Sequence, residues 1–475
     1  MKIFHSTAEY FPFIKVGGLS DMLSSFSRFQ AKENEVSVAL PLLSHMEDRI
    51  SFSGKEFKCI RQSDNYGSDA SMILSKSRFL HTRLHGVDIY FFQSPIFQKY
   101  SSIYGNSDEL FSFAIFSYAC HHLSILLKAD IIHAHDWHTS LSIYLSAKSG
   151  NPKSKVFTIH NLAYQGDHPY WMTQFLRLDP FYIRMESLDN LGKVNYMKGA
   201  ILSADEITTV SPGYREEVLS EPAGCHLAWL LNDRKDSFTG IMNGIDEHEW
   251  NPEVDSKIFL NYNKDTAEQG KYENKLRLYH EQGLHVDMER PMVGIVSRLT
   301  YQKGFETFLD AFVNRIHLPF YYFVLGTGDE NLEEAFFYHS HHNQQKLYFF
   351  KGFNETLARK IEAASDFFLM PSLFEPCGLN QLYSHAYGSI PIVSRVGGLK
   401  DSVHESDLIE YKTGFVFEPN DSSSLGYALE RASSTYYNKN EFNQIRKNIM
   451  SLDWGWKKST EKYHELYARS MKGII

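Results

Sequence analysis

Short apolar runs of strand length, separated by amphipathic stretches, recur along this chain in two series. The first comprises Lys2 to Ser6, Val36 to Pro41, Val87 to Gln93, Ile131 to His133, Val156 to His160 and Glu206 to Val210. The second comprises Met292 to Ser297, Tyr321 to Leu325, Leu347 to Lys351, Phe367 to Met370, Ile390 to Ser394 and Phe415 to Phe417. Strands buried on both faces read as continuous apolar runs, and helices between them provide the long crossovers that parallel pairing requires. The pattern therefore predicts an α/β protein of two doubly wound domains.

The turn-forming segment Met242-Asn-Gly-Ile-Asp246 marks the junction between the series. It divides the chain into an N-terminal domain, 1–245, and a C-terminal domain, 246–455. A closing helix over 456–475 carries Trp456, Tyr463, Tyr467 and Met471 close to one face, which could dock on either domain, and packing back on the N-terminal domain is the expectation. Ser44 to Arg83 and Glu221 to Ser237 show poor periodicity and read as surface insertions or loops. At 475 residues each half can bury its own core.

A net charge of −9 without a long basic run argues against a nucleic-acid or anionic-membrane partner, so any phosphate site must be local. Cys59, Cys120, Cys225 and Cys377 have neither paired nor metal-type spacing, as expected of free thiols in a reducing compartment. With no basic leader and no apolar run of membrane-spanning length, the reading is a cytoplasmic protein.

Lys15-Val-Gly17-Gly18-Leu-Ser-Asp21 parallels Arg395-Val-Gly397-Gly398-Leu-Lys-Asp401, a base followed by a glycine turn in each half. Such turns suit anion contact through backbone N–H groups. In the second half, the apolar run ending at Pro371-Ser372 delivers Glu375 just before Cys377-Gly378-Leu379, at the edge where open α/β sheets bind ligands. Arg298 and Lys303, five residues apart after another strand, can address one diphosphate, the first as a fork and the second as a point charge.

His133-Ala-His135-Asp136-Trp137-His138 resembles a metal site but has the wrong register for the usual histidine–aspartate hydrolase set, so a polar cluster at a strand end is the better reading. His160, at the next strand end, is either a satisfied core histidine or a substrate contact. Gly326-Thr-Gly328 lacks the third glycine of a dinucleotide fingerprint. The chain contains no Asp-x-Asp, so phosphate charge must be met by cations and backbone N–H groups, and no metal is expected.

These pieces, with Asn161, Gln165-Gly166, Ser203-Ala-Asp205, Thr208 to Pro212, Asn243 to Asp246 and Phe374 to Leu379, resemble in order and spacing the bacterial glycogen synthases and plant starch synthases. The resemblance implies the GT-B architecture, two Rossmann-like domains facing a central cleft, with the acceptor handled by the first and a nucleotide-sugar donor by the second. It implies transfer of glucose from ADP-glucose to the non-reducing 4-hydroxyl of an α-1,4-glucan such as glycogen, with retention. UDP-glucose is the alternative donor. A GT-B enzyme acting on a small acceptor, an inert glucan-binding protein and a metallohydrolase are the competing readings.

By the same resemblance Glu375, Arg298, Lys303, His160 and Asp136 are the catalytic set. Lys15, Gly17, Gly18, Asn161, Asn243, Phe353, Cys377, Gly378 and Leu379 contact the donor, and Asp21 matches the motif without a defined role. Ser20 stands where relatives more often carry Gly or Ala. Phe353 stands where Tyr is common, keeping a ring to stack on the base without its hydroxyl. No cofactor is implied. Both front-face displacement and a covalent intermediate are compatible with the residues, and oligomeric state is left open.

Overall fold

A computed structural model of the chain describes residues 1–59, 68–150, 154–170, 188–284 and 287–472, which fall into two compact units, Met1–Gly244 with Trp456–Ile475 and Ile245–Gly455. The first unit is built on β1 (Lys2–Ser6), β2 (Glu35–Pro41), β3 (Glu56–Lys58), β4 (Arg78–Leu84), β5 (Val87–Gln93), β6 (Ile131–His135) and β7 (Ser154–Ile159). Three short strands follow, β8 (Asp167–His168), β9 (Asp189–Asn190) and β10 (Lys193–Asn195), and then β11 (Glu206–Thr209) and β12 (Phe238–Gly240). The main sheet has the order β12-β11-β7-β6-β1-β2-β5-β4-β3, while β8, β10 and β9 form a separate small sheet.

From β12 to β5 every pairing in the main sheet is parallel, so all these strands end at the same edge. The chain begins at β1 near the middle, winds outward through β2, then returns to β6 and winds the other way. The order thus reverses between β1 and β6. Right-handed crossovers in opposite directions place their helices on opposite faces and leave the loops at the reversal free to splay apart.

The second unit contains β13 (Met292–Leu299), β14 (Tyr321–Gly328), β15 (Leu347–Lys351), β16 (Phe367–Met370), β17 (Ile390–Ser394) and β18 (Phe415–Phe417). Their order is β15-β14-β13-β16-β17-β18, parallel throughout, and the reversal falls between β13 and β16. Each sheet is the centre of its own apolar core. Phe4, Val38, Phe91, Ile132 and Phe157 are buried in the first unit, and Val293, Val324, Phe367, Ile392 and Phe415 in the second.

The expected strands all appear, with ends shifted by a few residues. The segments read as insertions do not behave uniformly. Arg78–Leu84 is an antiparallel strand on β5, Ser44–Arg49 and Ser68–Ser75 are helical, and Ala228–Asp233 is a helix that buries Leu230 and Leu231. Polar His81, Thr82 and Arg83 disguised β4, whose backbone pairing is satisfied by β5. Residues 60–67 of the expected insertion lie outside the described residues.

The closing helix, Trp456–Lys472, buries Trp456, Tyr463 and Tyr467, and leaves Met471 half-buried. Tyr463 packs on Phe26 with ring centroids 4.5 Å apart, and Arg469 forks onto both carboxylate oxygens of Glu206 at 3.0 Å. The helix joins the first core by its apolar face, since Trp456, Tyr463, Leu466 and Tyr467 all belong to that buried cluster.

That core also holds imidazoles. Burial lowers His5 to about 4, His121 to about 4, His138 and His160 to about 3, and His133 and His135 well below the usual value of 6.5. These rings are neutral when folded and take protons readily once unfolded, so they contribute stability above pH 6.5 that is lost as pH falls toward 4. Burial acts oppositely on Asp136 and Glu109, but the histidines outnumber them. Urea denaturation followed by hydrogen exchange in Met1–Gly244 is expected to show a lower midpoint at pH 4.5 than at pH 7. An unchanged or higher midpoint would contradict neutral burial.

Candidate active site

In the second unit the site begins where β13 ends. Arg298 is exposed at that end, and no hydrogen bond or ion pair among the described residues holds its guanidinium. A single helical turn, Tyr301–Lys303, follows and stops at Gly304, whose φ is +65°. A side chain at Gly304 would overlap the Pro371 carbonyl oxygen, so glycine lets the loops after β13 and β16 come into contact. Leu373 N–H donates to Gln302 O at 2.8 Å, and Gln302 Nε2 donates to Phe374 O at 3.1 Å, fastening the two loops together.

This contact brings Lys303 Nζ to 2.5 Å from Glu375 Oε2, which also accepts from Ser372 Oγ at 2.9 Å. Glu375 is buried. A buried carboxylate needs this compensation, because removing either partner would leave the other charged group poorly solvated. The pair supplies a fixed carboxylate beside a cation, where the loop after β13 meets the loop after β16.

Beyond Glu375 the chain turns through Gly378, with φ +69°, into the helix Asn380–Tyr387, whose start is capped by no side chain. Leading N–H groups of a helix are anion donors. Cys377 is buried beneath the second glycine pair. Gly398 N–H donates to Glu375 O at 3.1 Å, and side chains at Gly397 or Gly398 would overlap the Glu375 and Cys377 carbonyls. That glycine pair therefore shapes the Glu375 loop by close packing, which corrects its reading as an anion-facing turn. At the end of β15, Phe353 is 78% exposed.

In the first unit the glycine turn is engaged by acidic side chains. Gly17 has an extended backbone, with φ −141°, that any residue adopts. The N–H groups of Val16 and Gly17 both donate to Glu9 Oε2 at 2.7 Å, and Tyr104 O–H donates to Glu9 Oε1 at 2.7 Å. Lys15 forms an ion pair with Asp21 at 2.8 Å. The Gly17 amide and Lys15, both expected to meet an anion, thus have acidic partners in this structure, as does the Val16 amide. Glu9 was missed from sequence, although a carboxylate three residues beyond the first strand, at the sheet's reversal, was a usable signal.

Asp136 forms the sharp turn between β6 and the helix Trp137–Ser149, with φ 57° and ψ 179°. This region is almost reserved for glycine and costs roughly 1–3 kcal/mol, so the surrounding structure must enforce it. Asp136 Oδ1 accepts from His160 N–H at 2.7 Å and from Asn161 N–H at 3.3 Å, tying the ends of β6 and β7 together. Burial raises its carboxyl to about 7 despite those donors, with the Glu9 charge adding to the rise. Asn161 turns its own amide oxygen onto Ala163 N–H at 3.1 Å. Asn243 is buried with no partner for Oδ1 among the described residues, an unmet acceptor that a ligand donor would satisfy.

The His133–His138 run separates in space. His138 packs among Trp137, Phe113 and Tyr104, while His133 and His135 stack at 4.4 Å on the opposite side and join His5. One ring nitrogen from each of His5, His133 and His135 lies within 4.8 Å of the others, a spacing an ion could use. All six of their nitrogens nevertheless have hydrogen-bond partners: Gln30, Tyr467, Thr158, His160 and one another. The arrangement is a hydrogen-bonded row. Among the described residues no helix is long and apolar enough to cross a membrane.

Residues 2–233 match the family model described as starch synthase catalytic domain, and residues 280–449 match glycosyl transferases group 1. The chain is 55% identical over 469 residues to a glycogen synthase of Leptospira biflexa serovar Patoc, covering 98% of each protein. It is 36% identical over 492 residues to a glycogen synthase of Bacillus licheniformis, covering 100% of this chain and 99% of that protein. The catalytic domain of starch synthase IV from Arabidopsis thaliana, solved with ADP and acarbose, superposes with a TM-score of 0.89 at 32% identity, covering 99% of both chains. Two Rossmann-like units with matched motifs and full-length similarity make this chain a GT-B glycosyltransferase of the glycogen and starch synthase family.

Proposed function

We propose that this enzyme is a glycogen synthase that transfers glucose from ADP-glucose to the non-reducing 4-hydroxyl of an α-1,4-glucan with retention. The observation that carries the reading is the Lys303–Glu375 pair, held by interlocked loops just beyond the end of β13, the strand that ends with Arg298 and Leu299. Similarity over the full chain to glycogen synthases supports the acceptor, and the starch synthase IV structure with ADP supports the adenine donor.

Arg298 and Lys303 are assigned to the diphosphate, with the N–H groups of Gly378 and Leu379 as further donors and Lys15, Gly17 and Gly18 as contributors from the first unit. Phe353 is assigned to stacking on the base. Glu375, Cys377, Asp136, His160, Asn161 and Asn243 are assigned to the glucosyl group, and Asp21 holds Lys15. Residues 1–245 are assigned to the acceptor side and 246–455 to the donor side.

Breaking the anomeric C–O bond sends its electron pair to the departing diphosphate, where fixed cations and N–H dipoles stabilise the growing charge. Carboxylate charge favours the cationic sugar carbon, and the glucan 4-hydroxyl attacks from the face the diphosphate leaves. Its proton passes to the departing phosphate oxygen. No divalent ion is required by this scheme, in keeping with the missing Asp-x-Asp.

Lys303→Ala and Glu375→Ala are each expected to reduce kcat roughly a hundred- to a thousandfold, the typical consequence of losing one charge-stabilising group. The fold should persist by circular dichroism, and near-wild-type turnover in both would overturn the assignment. Initial rates on glycogen should favour ADP-glucose over UDP-glucose and survive EDTA. A UDP-glucose preference would refute the donor, and loss of rate in EDTA the metal-free scheme.

Asp136→Asn should lose roughly a hundredfold in kcat through its missing charge. Because the folded acid keeps its proton up to about pH 7 while the unfolded one releases it near the usual carboxylate value, wild type loses stability as pH rises across that window, and the variant should gain relative to it between pH 4.5 and pH 7. Denaturation midpoints at the two pH values test this directly.

A further inference from the structure

A row of buried groups runs from the closing helix to the proposed substrate-facing His160, and nothing in the scheme above uses it. Gln30 Nε2 donates to Tyr467 O–H at 3.1 Å, while Gln30 Oε1 lies 2.8 Å from His5 Nε2. His5 Nδ1 lies 3.0 Å from His135 Nε2, and His135 Nδ1 lies 3.0 Å from His160 Nε2. Burial holds His5 and His160 at about 4 and 3 and His135 well below its usual value, so each ring has one ring proton near neutral pH.

An amide oxygen only accepts, so His5 must carry its proton on Nε2. Its bare Nδ1 can then only accept from His135 Nε2–H, whose own bare Nδ1 accepts from His160 Nε2–H. One choice at Gln30 therefore propagates through three rings. The other side of the amide keeps the same direction: the Tyr467 hydroxyl donates to His133 Nδ1 at 2.8 Å, and His133 Nε2–H donates to Thr158 Oγ1 at 2.6 Å. Turning the amide over would require every ring in the row to change tautomer together.

We propose that Tyr467, Gln30, His5 and His135 are positioning residues that lock His160 with its proton on Nε2, leaving Nδ1 as an obligatory acceptor for a sugar hydroxyl. Nδ1 is the His160 ring nitrogen with no partner among the described residues. Asp136 fixes the backbone of the same residue through His160 N–H. Main chain and ring are thus oriented by separate partners, one at the sheet edge and one inside the core. The inference rests on the proposed role of His160 in the glucosyl site.

The test uses full-length protein labelled with nitrogen-15 at histidine, with His160 assigned by its loss in His160→Asn. Two-bond and three-bond proton–nitrogen correlations read the tautomer without any turnover. Wild type is expected to show a bare Nδ1 and a protonated Nε2 at His160. Gln30→Met and Tyr467→Phe should each convert this to a mixture. Their kcat should fall roughly tenfold, the lower end of what losing an orienting partner behind a functional imidazole typically causes, with KM for ADP-glucose within about twofold.

A wild-type His160 protonated on Nδ1 overturns the proposal even if neither variant folds. So does an unchanged tautomer in both variants, or a changed tautomer with unchanged kcat. Wild-type protein that shows the expected tautomer but transfers no glucose refutes the function instead, leaving the lock in place.

Discussion

Parallel pairing governs this protein. Once β1, β2, β6, β7 and β11 run in one direction, each connection must cross back over the sheet, and every loop that leaves a carboxyl end emerges at the same edge. The same holds for β13 to β18. Residues far apart in sequence are gathered there without any design beyond strand direction. Glu9, Asp136 and His160 follow three different strands of the first sheet, and Lys303, Phe353 and Glu375 follow three of the second, with Arg298 at the end of β13 itself. At each reversal of strand order the neighbouring loops diverge, and each unit places its charged residues beside that gap.

Convergence alone would leave a collection of side chains in water. The second unit fixes them by eliminating atoms: glycine at 304 and at 397 allows backbone to lie on backbone, and Glu375 is carried into a buried position where Lys303 and Ser372 are its partners. The first unit fixes them by strain and by polar burial. Asp136 holds a backbone conformation that side chains avoid, and its carboxylate receives the N–H groups of the next strand end. Behind it, neutral imidazoles occupy space that apolar residues fill elsewhere in the sheet, and both ring nitrogens of His5, His133 and His135 are matched. A half-matched row would cost more than an apolar core.

Much of this was legible in the sequence. The strand runs are continuous and apolar because both faces of a parallel sheet are covered, and turn formers follow them because the chain reverses there. Arg298, Lys303 and Glu375 stood out for the same reason: charged residues just beyond such runs. The edge strand Arg78–Leu84 did not stand out, since its polar positions break the alternation and only pairing to β5 stabilises it. The two Val-Gly-Gly-Leu turns looked alike, yet one meets the carboxylate of Glu9 and the other the backbone of the Glu375 loop. Identical local sequence does not specify which neighbour it will touch.

Sequence by itself determined the fold class, the two strand series and the residue types placed at strand ends, because periodicity and turn chemistry are local properties of the chain. Tertiary structure alone decided which charges meet. The Lys303–Glu375 pair spans 72 positions, and the row from Tyr467 to His160 joins a helix near the C-terminus to the first strand. Burial likewise turned Asp136 into an acid near 7 and the histidines into neutral rings. Proton affinity depends on the solvent and partners a folded chain leaves around a group, and no pattern of neighbours along the sequence contains that information.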